Sequence, residues 1–383
     1  MIEELIALKG KGTLCVHEGQ MRVKDAGINT PLFNSSAFEY LDSEDRKYPR
    51  YFNTPNQEVV ANKIAALENA EKGMVFGSGM AAISTVVFGL LNSGDHVIAL
   101  NNLYGGTLDF LKKDFERFDL EYSILPENNI SAMEALKRAN TKMLYLESPS
   151  NPLLEIVDLE EIAHWAKSNG ILTCIDNTFA SPVLQNPLDW GIDIVLHSAT
   201  KYIGGHSDIC AGAVCTREEL MKPITQAAHN FGGSLNPMMA HLMERSLKTL
   251  EIRMERASHN AHCIAQFLHE HSSIDQVYYP GLPSFKGHDI AKKQMSAFGA
   301  MLSFEINGDP IHFQKRLELI CPVMSLGGVE TTICSPALTS HRLLTKEKRL
   351  DFGIRDNLLR LSVGIENTED LINDIEQALD FSK

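Results

Sequence analysis

No apolar run in the 383 residues is long enough to span a bilayer, and the acidic opening Met1-Ile2-Glu3-Glu4-Leu5 lacks the apolar core of a signal peptide. Neither membrane insertion nor export is expected, so cytoplasm is the default location. Positive charge is scarce: the formal net charge is -14, which argues against a general nucleic-acid partner because phosphates would be repelled. The seven cysteines form no CxxC pair, and those such as Cys174, Cys210 and Cys215 fit reduced, buried thiols. No metal is expected, since His269 and His271, two positions apart on a predicted helix, point in different directions. There is no internal repeat and no low-complexity segment. What remains, at 44% hydrophobic and 22% charged residues, is a chain able to bury a large core and to form more than one domain.

Residues 1–50 carry Gly27, Pro31 and Ser35-Ser36 with little periodicity and read as an extended arm that must pack on something, plausibly another subunit. From there to residue 244 helix and strand patterns alternate. Val60, Ile64 and Leu67 lie at helical spacing, while Val97-Ile98-Ala99-Leu100 and Met143-Leu144-Tyr145-Leu146 read as buried strands. The alternation predicts an α/β fold, a mostly parallel sheet covered by helices. Met243 to Phe267 reads as one long helix, and residues 245–383 as a smaller C-terminal domain of strands and helices.

The apolar run Asp193-Ile194-Val195-Leu196 leads into His197-Ser198-Ala199-Thr200-Lys201-Tyr202-Ile203-Gly204-Gly205-His206. A lysine just beyond a buried strand can be held partly unprotonated for covalent chemistry, because burial lowers its pKa. Ser198 and Thr200 supply hydroxyls able to bind phosphate, and Gly204 and Gly205 would allow close backbone approach to a ligand. On this string alone a solvated lysine is the commoner outcome. Three other segments add weight. Asp176 ends the predicted strand Ile171-Leu172-Thr173-Cys174-Ile175, where a carboxylate can pair with a cationic ring nitrogen; its ordinary role would be a cap. Val75-Phe76-Gly77-Ser78-Gly79-Met80-Ala81-Ala82-Ile83 joins a short apolar stretch to a helical pattern. The N–H groups of such a helix start could bind an anion, although on this segment alone a plain tight turn is the commoner outcome. Tyr104, beside Gly105-Gly106, could stack on a planar cofactor or simply pack.

Taken together these segments resemble the pyridoxal-phosphate enzymes of cysteine and methionine metabolism. The resemblance runs over nearly the whole chain through Tyr48-Pro49-Arg50, Gly77-Ser78-Gly79-Met80, Tyr104-Gly105-Gly106-Thr107, Glu147-Ser148-Pro149-Ser150-Asn151-Pro152, Asp176-Asn177-Thr178-Phe179, the Lys201 string, Ser325-Leu326-Gly327-Gly328 and Arg360-Leu361-Ser362-Val363-Gly364. It implies a fold-type I transferase architecture in which Lys201 carries pyridoxal phosphate covalently and moves protons. Asp176 would hold the ring nitrogen, Tyr104 would stack on the ring, and Gly79, Met80, Ser198 and Thr200 would bind the phosphate. Tyr48 and Arg50 would reach in from a neighbouring subunit of a homotetramer. Arg360 would clamp the substrate carboxylate, helped by Ser325 and Asn151.

The implied reaction is carbon–sulfur elimination from cystathionine or a related sulfur amino acid: Cα deprotonation lets a thiolate leave from Cβ, and a second proton removal lets it leave from Cγ. The enzyme alternative is γ-replacement on an activated homoserine ester; a non-catalytic binding protein would not need Lys201, Asp176, Tyr104 and Arg360 in combination. Three departures bear on specificity. Met324 and Asp109 stand where relatives acting on cystathionine through γ-chemistry often carry glutamate and arginine, and Gly106 stands where methionine γ-lyases commonly carry cysteine. Lys47 could receive a distal carboxylate, though a solvated lysine is the favoured expectation. The order Asn53-Thr54-Pro55 reads as a loop variation.

Overall fold

The computed structural model describes residues 10–21, 27–43, 45–342 and 345–380. Seven strands form the larger sheet: β1 (Lys72–Phe76), β2 (His96–Ala99), β3 (Glu121–Ile124), β4 (Thr141–Glu147), β5 (Leu172–Asp176), β6 (Ile194–His197) and β7 (Gly212–Thr216). Their spatial order is β1-β7-β6-β5-β4-β2-β3. Only β7 runs against its neighbours, so the expected mostly parallel sheet is what forms. Helices cover both faces, which is why β2 and β6 are buried at every position and read as continuous apolar runs rather than alternating ones.

A smaller, mainly antiparallel sheet follows from β8 (Ile274–Tyr278), β9 (Met301–Ile306), β10 (Cys321–Pro322), β11 (Thr332–Cys334) and β12 (Leu358–Ser362), in the order β10-β11-β12-β9-β8. Each sheet has its own apolar core, and the helix Leu250–Glu270 joins them. Leu250, Met254 and Ala257 on its first half enter the larger core; Ala261, Ile264 and Leu268 on its second half enter the smaller.

The single helix expected over 243–267 is two, Pro237–Leu247 and Leu250–Glu270. The break has a local cause. Arg253 Nη2 and Thr249 Oγ1 both donate to the Ser246 carbonyl, at 2.9 and 3.2 Å, and take up an acceptor that a continuous helix would use. The arm also departs from the expectation of extended chain: Lys11–His17 is helical and buries Leu14 and Cys15 against the large core. Asn53-Thr54-Pro55 is a helix start rather than a loop variant, with Thr54 and Gln57 forming a capping box ahead of Pro55–Leu67. His269 lies in the last turn of Leu250–Glu270 while His271 lies beyond it, facing Glu376 at 3.5 Å. Not all thiols are buried, since Cys210 and Cys321 are exposed.

The parallel strands β4, β5 and β6 end at Glu147, Asp176 and His197 on one edge of the sheet. In open α/β sheets the carboxyl edge is where ligand groups gather.

Candidate active site

That edge opens into a cleft of about 650 Å³, closed on the far side by loops of the smaller sheet. Of the residues singled out from sequence, Gly79, Met80, Tyr104, Asn151, Asp176, Ser198, Thr200, Lys201, Ser325 and Arg360 all line it. Tyr48 and Arg50 do not. They sit beside the Glu218–Phe231 helix, where the Arg50 guanidinium lies over the Tyr48 and Tyr51 rings and donates to the His229 carbonyl. Lys47 is neither in the cleft nor free, being paired with Glu58 at 2.9 Å.

Lys201 follows β6 by four residues, and the turn that holds it is closed by Lys201 N donating to Ser198 O. Its ammonium donates to Ser325 Oγ at 2.8 Å. Burial, reinforced by Arg360, lowers its pKa below the ordinary lysine value. The contact with Ser325 depends on a close approach of two loops. Gly327, at φ 78°, lies so near the lysine turn that a Cβ there would sit 2.8 Å from Tyr202 N. Ser325 itself has φ 89°, a left-handed conformation that favours glycine, so its hydroxyl is held in position at a cost in backbone strain.

Gly204 and Gly205 serve packing rather than a ligand. A Cβ on Gly204 would lie 2.9 Å from Ala199 O, and one on Gly205 would strike the Arg253 guanidinium. By contrast Gly79 does border the cleft: a Cβ there would lie 3.1 Å from the Ser198 side chain. Ser78 caps this helix by accepting from Ala81 N at 3.1 Å, which leaves the N–H groups of Gly79 and Met80 without intrahelical acceptors. Thr200 directs its hydroxyl to the Ala211 carbonyl at 3.1 Å, and Thr178 Oγ1 accepts from Ser198 N at 2.8 Å.

Two carboxyls stand side by side on the floor, Glu147 of β4 directly opposite Asp176 of β5 in the ladder. Burial pushes both pKa values up. The Glu147 rise is reinforced by Asp176, whereas that of Asp176 is opposed by hydrogen bonds from Thr178 and by the charges of His197 and Lys201. Of the two, Glu147 is the more strongly raised, because hydrogen bonds and nearby cations favour the charged form of Asp176. Behind them His197 Nε2 meets the buried Glu68 carboxylate at 2.6 Å. Glu147 also ties the floor together: it accepts from Tyr104 N at 2.6 Å and from Asn151 N at 3.1 Å. Asn151 Oδ1 in turn accepts from Arg360 Nη1 at 2.7 Å, and Arg360 Nη2 donates to Ser325 O at 3.1 Å. Arg360 Nε is buried without a partner among the described residues.

Glu147 and Thr178 also belong to the site, through bonds that their sequence context alone does not assign. The signal for Glu147 was the same as for Asp176, an acid closing a buried apolar strand. Cys210 and the loop bearing Thr339, Ser340 and Arg342 also line the cleft, and nothing in their spacing marks them.

Known proteins resemble this chain in sequence and fold. The chain is 42% identical over 97% of its length to L-methionine gamma-lyase of Fusobacterium nucleatum, covering 98% of that protein. It is 42% identical over 96% of its length to cystathionine beta-lyase of Lactococcus lactis subsp. cremoris, covering 98% of it. Among solved structures, that of cystathionine gamma-lyase from Lactobacillus plantarum complexed with L-serine superposes with a TM-score of 0.93 at 38% identity, over 97% of this chain and 98% of that one. The family model for Cys/Met metabolism PLP-dependent enzymes matches residues 12–380, so the chain belongs to that family, a fold-type I group whose cofactor is pyridoxal phosphate.

Proposed function

We propose that this protein is a carbon–sulfur lyase of sulfur amino acid metabolism, eliminating a thiol from cystathionine or a close relative, with Lys201 as the residue that carries the cofactor and moves protons. One observation supports this above the others. A lysine of lowered pKa, a buried carboxyl and an arginine whose Nε is without a partner among the described residues face one cleft at the carboxyl edge of a mostly parallel sheet.

The residues present suit the cofactor. Asp176, a buried carboxyl whose charged form is favoured by hydrogen bonds from Thr178 and by the charges of His197 and Lys201, suits a cationic ring nitrogen. Gly79, Met80 and Ser198 suit the phosphate, with open N–H groups at a helix start and a hydroxyl beside them; Thr200 contributes through the turn its hydroxyl anchors. Tyr104, exposed and poised over Gly106, suits stacking on the ring. When bound, pyridoxal phosphate supplies an electron sink that lets a Cα–H bond of an amino acid ionise. Arg360 receives the substrate carboxylate, aligned by Asn151 and the Ser325 carbonyl, and so sets which Cα substituent faces Lys201. Lys201 Nζ takes the Cα proton and returns it later in the cycle, while Ser325 Oγ holds that amine in line. Glu147 steadies both Tyr104 and Asn151.

The chain divides into an arm over 1–50, a cofactor-binding domain over 51–244 and a C-terminal domain over 245–383. It works as a homo-oligomer, a tetramer, in which Tyr48 and Arg50 complete a neighbour's cleft. That assignment draws on their position outside the cleft of their own chain and on the exposed Tyr40, Leu41, Tyr48 and Tyr51. No helix among the described residues is long and apolar enough to cross a membrane, and the enzyme acts in the cytoplasm.

The test is to supply the purified protein with pyridoxal phosphate and cystathionine and identify the released oxo acid by mass spectrometry. Pyruvate means β-elimination and 2-oxobutyrate means γ-elimination; release of neither overturns the lyase assignment in favour of γ-replacement.

A further inference from the structure

Behind the floor of the cleft lies a second layer, buried and polar throughout. Its centre is Glu68, fully buried where the Pro55–Leu67 helix ends. That is an unfavourable place for a carboxylate, because water is excluded and the helix dipole presents its negative end there. Three donors compensate. Glu68 Oε1 meets His197 Nε2 at 2.6 Å and accepts from Asn177 Nδ2 at 2.9 Å, while Oε2 accepts from Asn186 Nδ2 at 3.3 Å. Apolar side chains of similar volume would fill such a space at no loss of stability, but they would not tie its walls together.

What it ties are the ends of the three strands that carry the floor. Asp176 closes β5 and lines the cleft, and the next residue, Asn177, is fully buried and bonded to Glu68. His197 closes β6, four residues before Lys201. Asn177 Nδ2 also donates to Gln185 O, and Gln185 Nε2 donates to Asn177 Oδ1 and to the carbonyl of Ser148, each at 2.9 Å. Ser148 follows Glu147 at the end of β4. One carboxylate therefore holds β5 and β6 directly and β4 through Asn177 and Gln185.

We propose that Glu68 is a positioning residue for the cofactor chemistry: through Asn177 and His197 it fixes Asp176 relative to the Lys201 turn, and through the imidazole of His197 it supports a negative charge on Asp176. The inference rests on the roles given above to Asp176 and Lys201 and names what sustains them. Glu68 stands outside the cleft and acts only through its partners. Burial opposes the charge of Asp176, and Thr178, His197 and Lys201 favour it. Lys201 gives and takes protons during turnover, so of the two cations His197 is the one whose support persists. An imidazole that faces a carboxylate holds its proton more firmly than one that faces an amide, which is what Glu68 contributes. Lys11 from the N-terminal helix and Cys215 of β7 also stand near Glu68, and Glu147, Tyr145, Cys174 and Lys201 near Asp176. The substitutions at Glu68 and His197 described below leave all of these in place.

The experiment titrates the visible absorbance of the bound cofactor against pH, and measures kcat and KM for a thioether the parent cleaves, in the parent, Glu68→Gln, His197→Gln and Asp176→Asn holoenzymes. Glu68→Gln keeps the length of the side chain and an acceptor for Asn177 but removes the charge. A ring nitrogen that holds its proton less firmly puts less positive charge near Lys201 Nζ, which is then protonated more easily. The absorbance midpoint of Glu68→Gln therefore moves up by about one pH unit, and kcat falls about tenfold with KM nearly unchanged. His197→Gln, whose amide can still donate to Glu68, moves the midpoint the same way, and Asp176→Asn moves it furthest. Folded Glu68→Gln and His197→Gln proteins with the parental midpoint and kcat overturn the positioning role and leave Asp176 and Lys201 in their roles. Failure of both to fold overturns it too, by assigning the network to the fold alone. A parental midpoint in Asp176→Asn overturns the ring-nitrogen assignment, and the inference with it.

Discussion

Glu147, Asp176 and Arg360 hang from strands at the floor of the cleft and are fixed by ladder register and buried hydrogen bonds, whereas Asp109 and Arg342 at its mouth sit on a helix turn and a loop in water. The difference is one of precision. Groups that position the cofactor and the carboxylate common to every substrate need places held to fractions of an ångström, and buried strands supply that. Charges on a loop and an exposed helix turn are screened by water and are not fixed by the sheet. On this account a floor substitution lowers turnover of every substrate, and a mouth substitution lowers it far less.

The largest effect tests the floor directly. Lys201→Ala abolishes thiol release from all thioethers, by about 10³-fold or more, with the far-ultraviolet circular dichroism and oligomeric state of the parent retained. Residual activity near the parental level would remove Lys201 from the chemistry. Next in size, Arg360→Lys keeps the charge but not the planar fork, and lowers kcat/KM by about 10- to 100-fold for cystathionine and alkyl thioethers alike. A loss confined to cystathionine would remove Arg360 from the carboxylate that all these substrates share and break the comparison.

A third prediction sharpens where the floor ends. His341, next to Arg342, is held neutral down to about pH 4 by burial, with the charges of Arg360 and Arg349 adding to it. In the unfolded chain it takes up a proton near pH 6.5. Between those values the unfolded state binds a proton that the native state refuses, so this contribution to stability is present above pH 6.5 and is lost as pH falls towards 4. Urea denaturation of His341→Gln should lose about 2 kcal/mol less than the parent over that window, after discounting for the part of the ring that water reaches. An unchanged slope would mean that the loop is no more rigid at His341 than at Arg342. The smallest effect is two-sided: Ser325→Gly relieves the φ of 89° and stabilises the fold by about 1 kcal/mol while lowering kcat through loss of the Oγ contact to Lys201. A variant both less stable and equally active would show that neither the strain nor the hydroxyl matters.

Much of the floor was legible in sequence because buried parallel strands leave an unbroken apolar signature, and the residue after it is aimed at the carboxyl edge. That is how Asp176 and Lys201 could be singled out, and it applied equally to Glu147, whose value lies in bonds to Tyr104 and Asn151 that only the folded ladder reveals. Gly204 and Gly205 were misread because a glycine that packs on Ala199 or Arg253 looks the same in sequence as one that approaches a ligand. The helix break at Lys248-Thr249 was hidden because its cause, Arg253 reaching back to Ser246, is a side-chain contact with no apolar period of its own. Arg342 left no trace at all. It is an arginine in a polar loop, and its place at the cleft exists only because the loop from β11 crosses the Gly105 turn.

The central claim is that Lys201, among all the lysines of the chain, holds the cofactor. Reducing the holoenzyme with borohydride, digesting it and mapping the pyridoxyl group by mass spectrometry tests this most directly. The label is predicted on the peptide His197-Ser198-Ala199-Thr200-Lys201-Tyr202; a label on another lysine such as Lys47 or Lys63, or on none, would contradict the account.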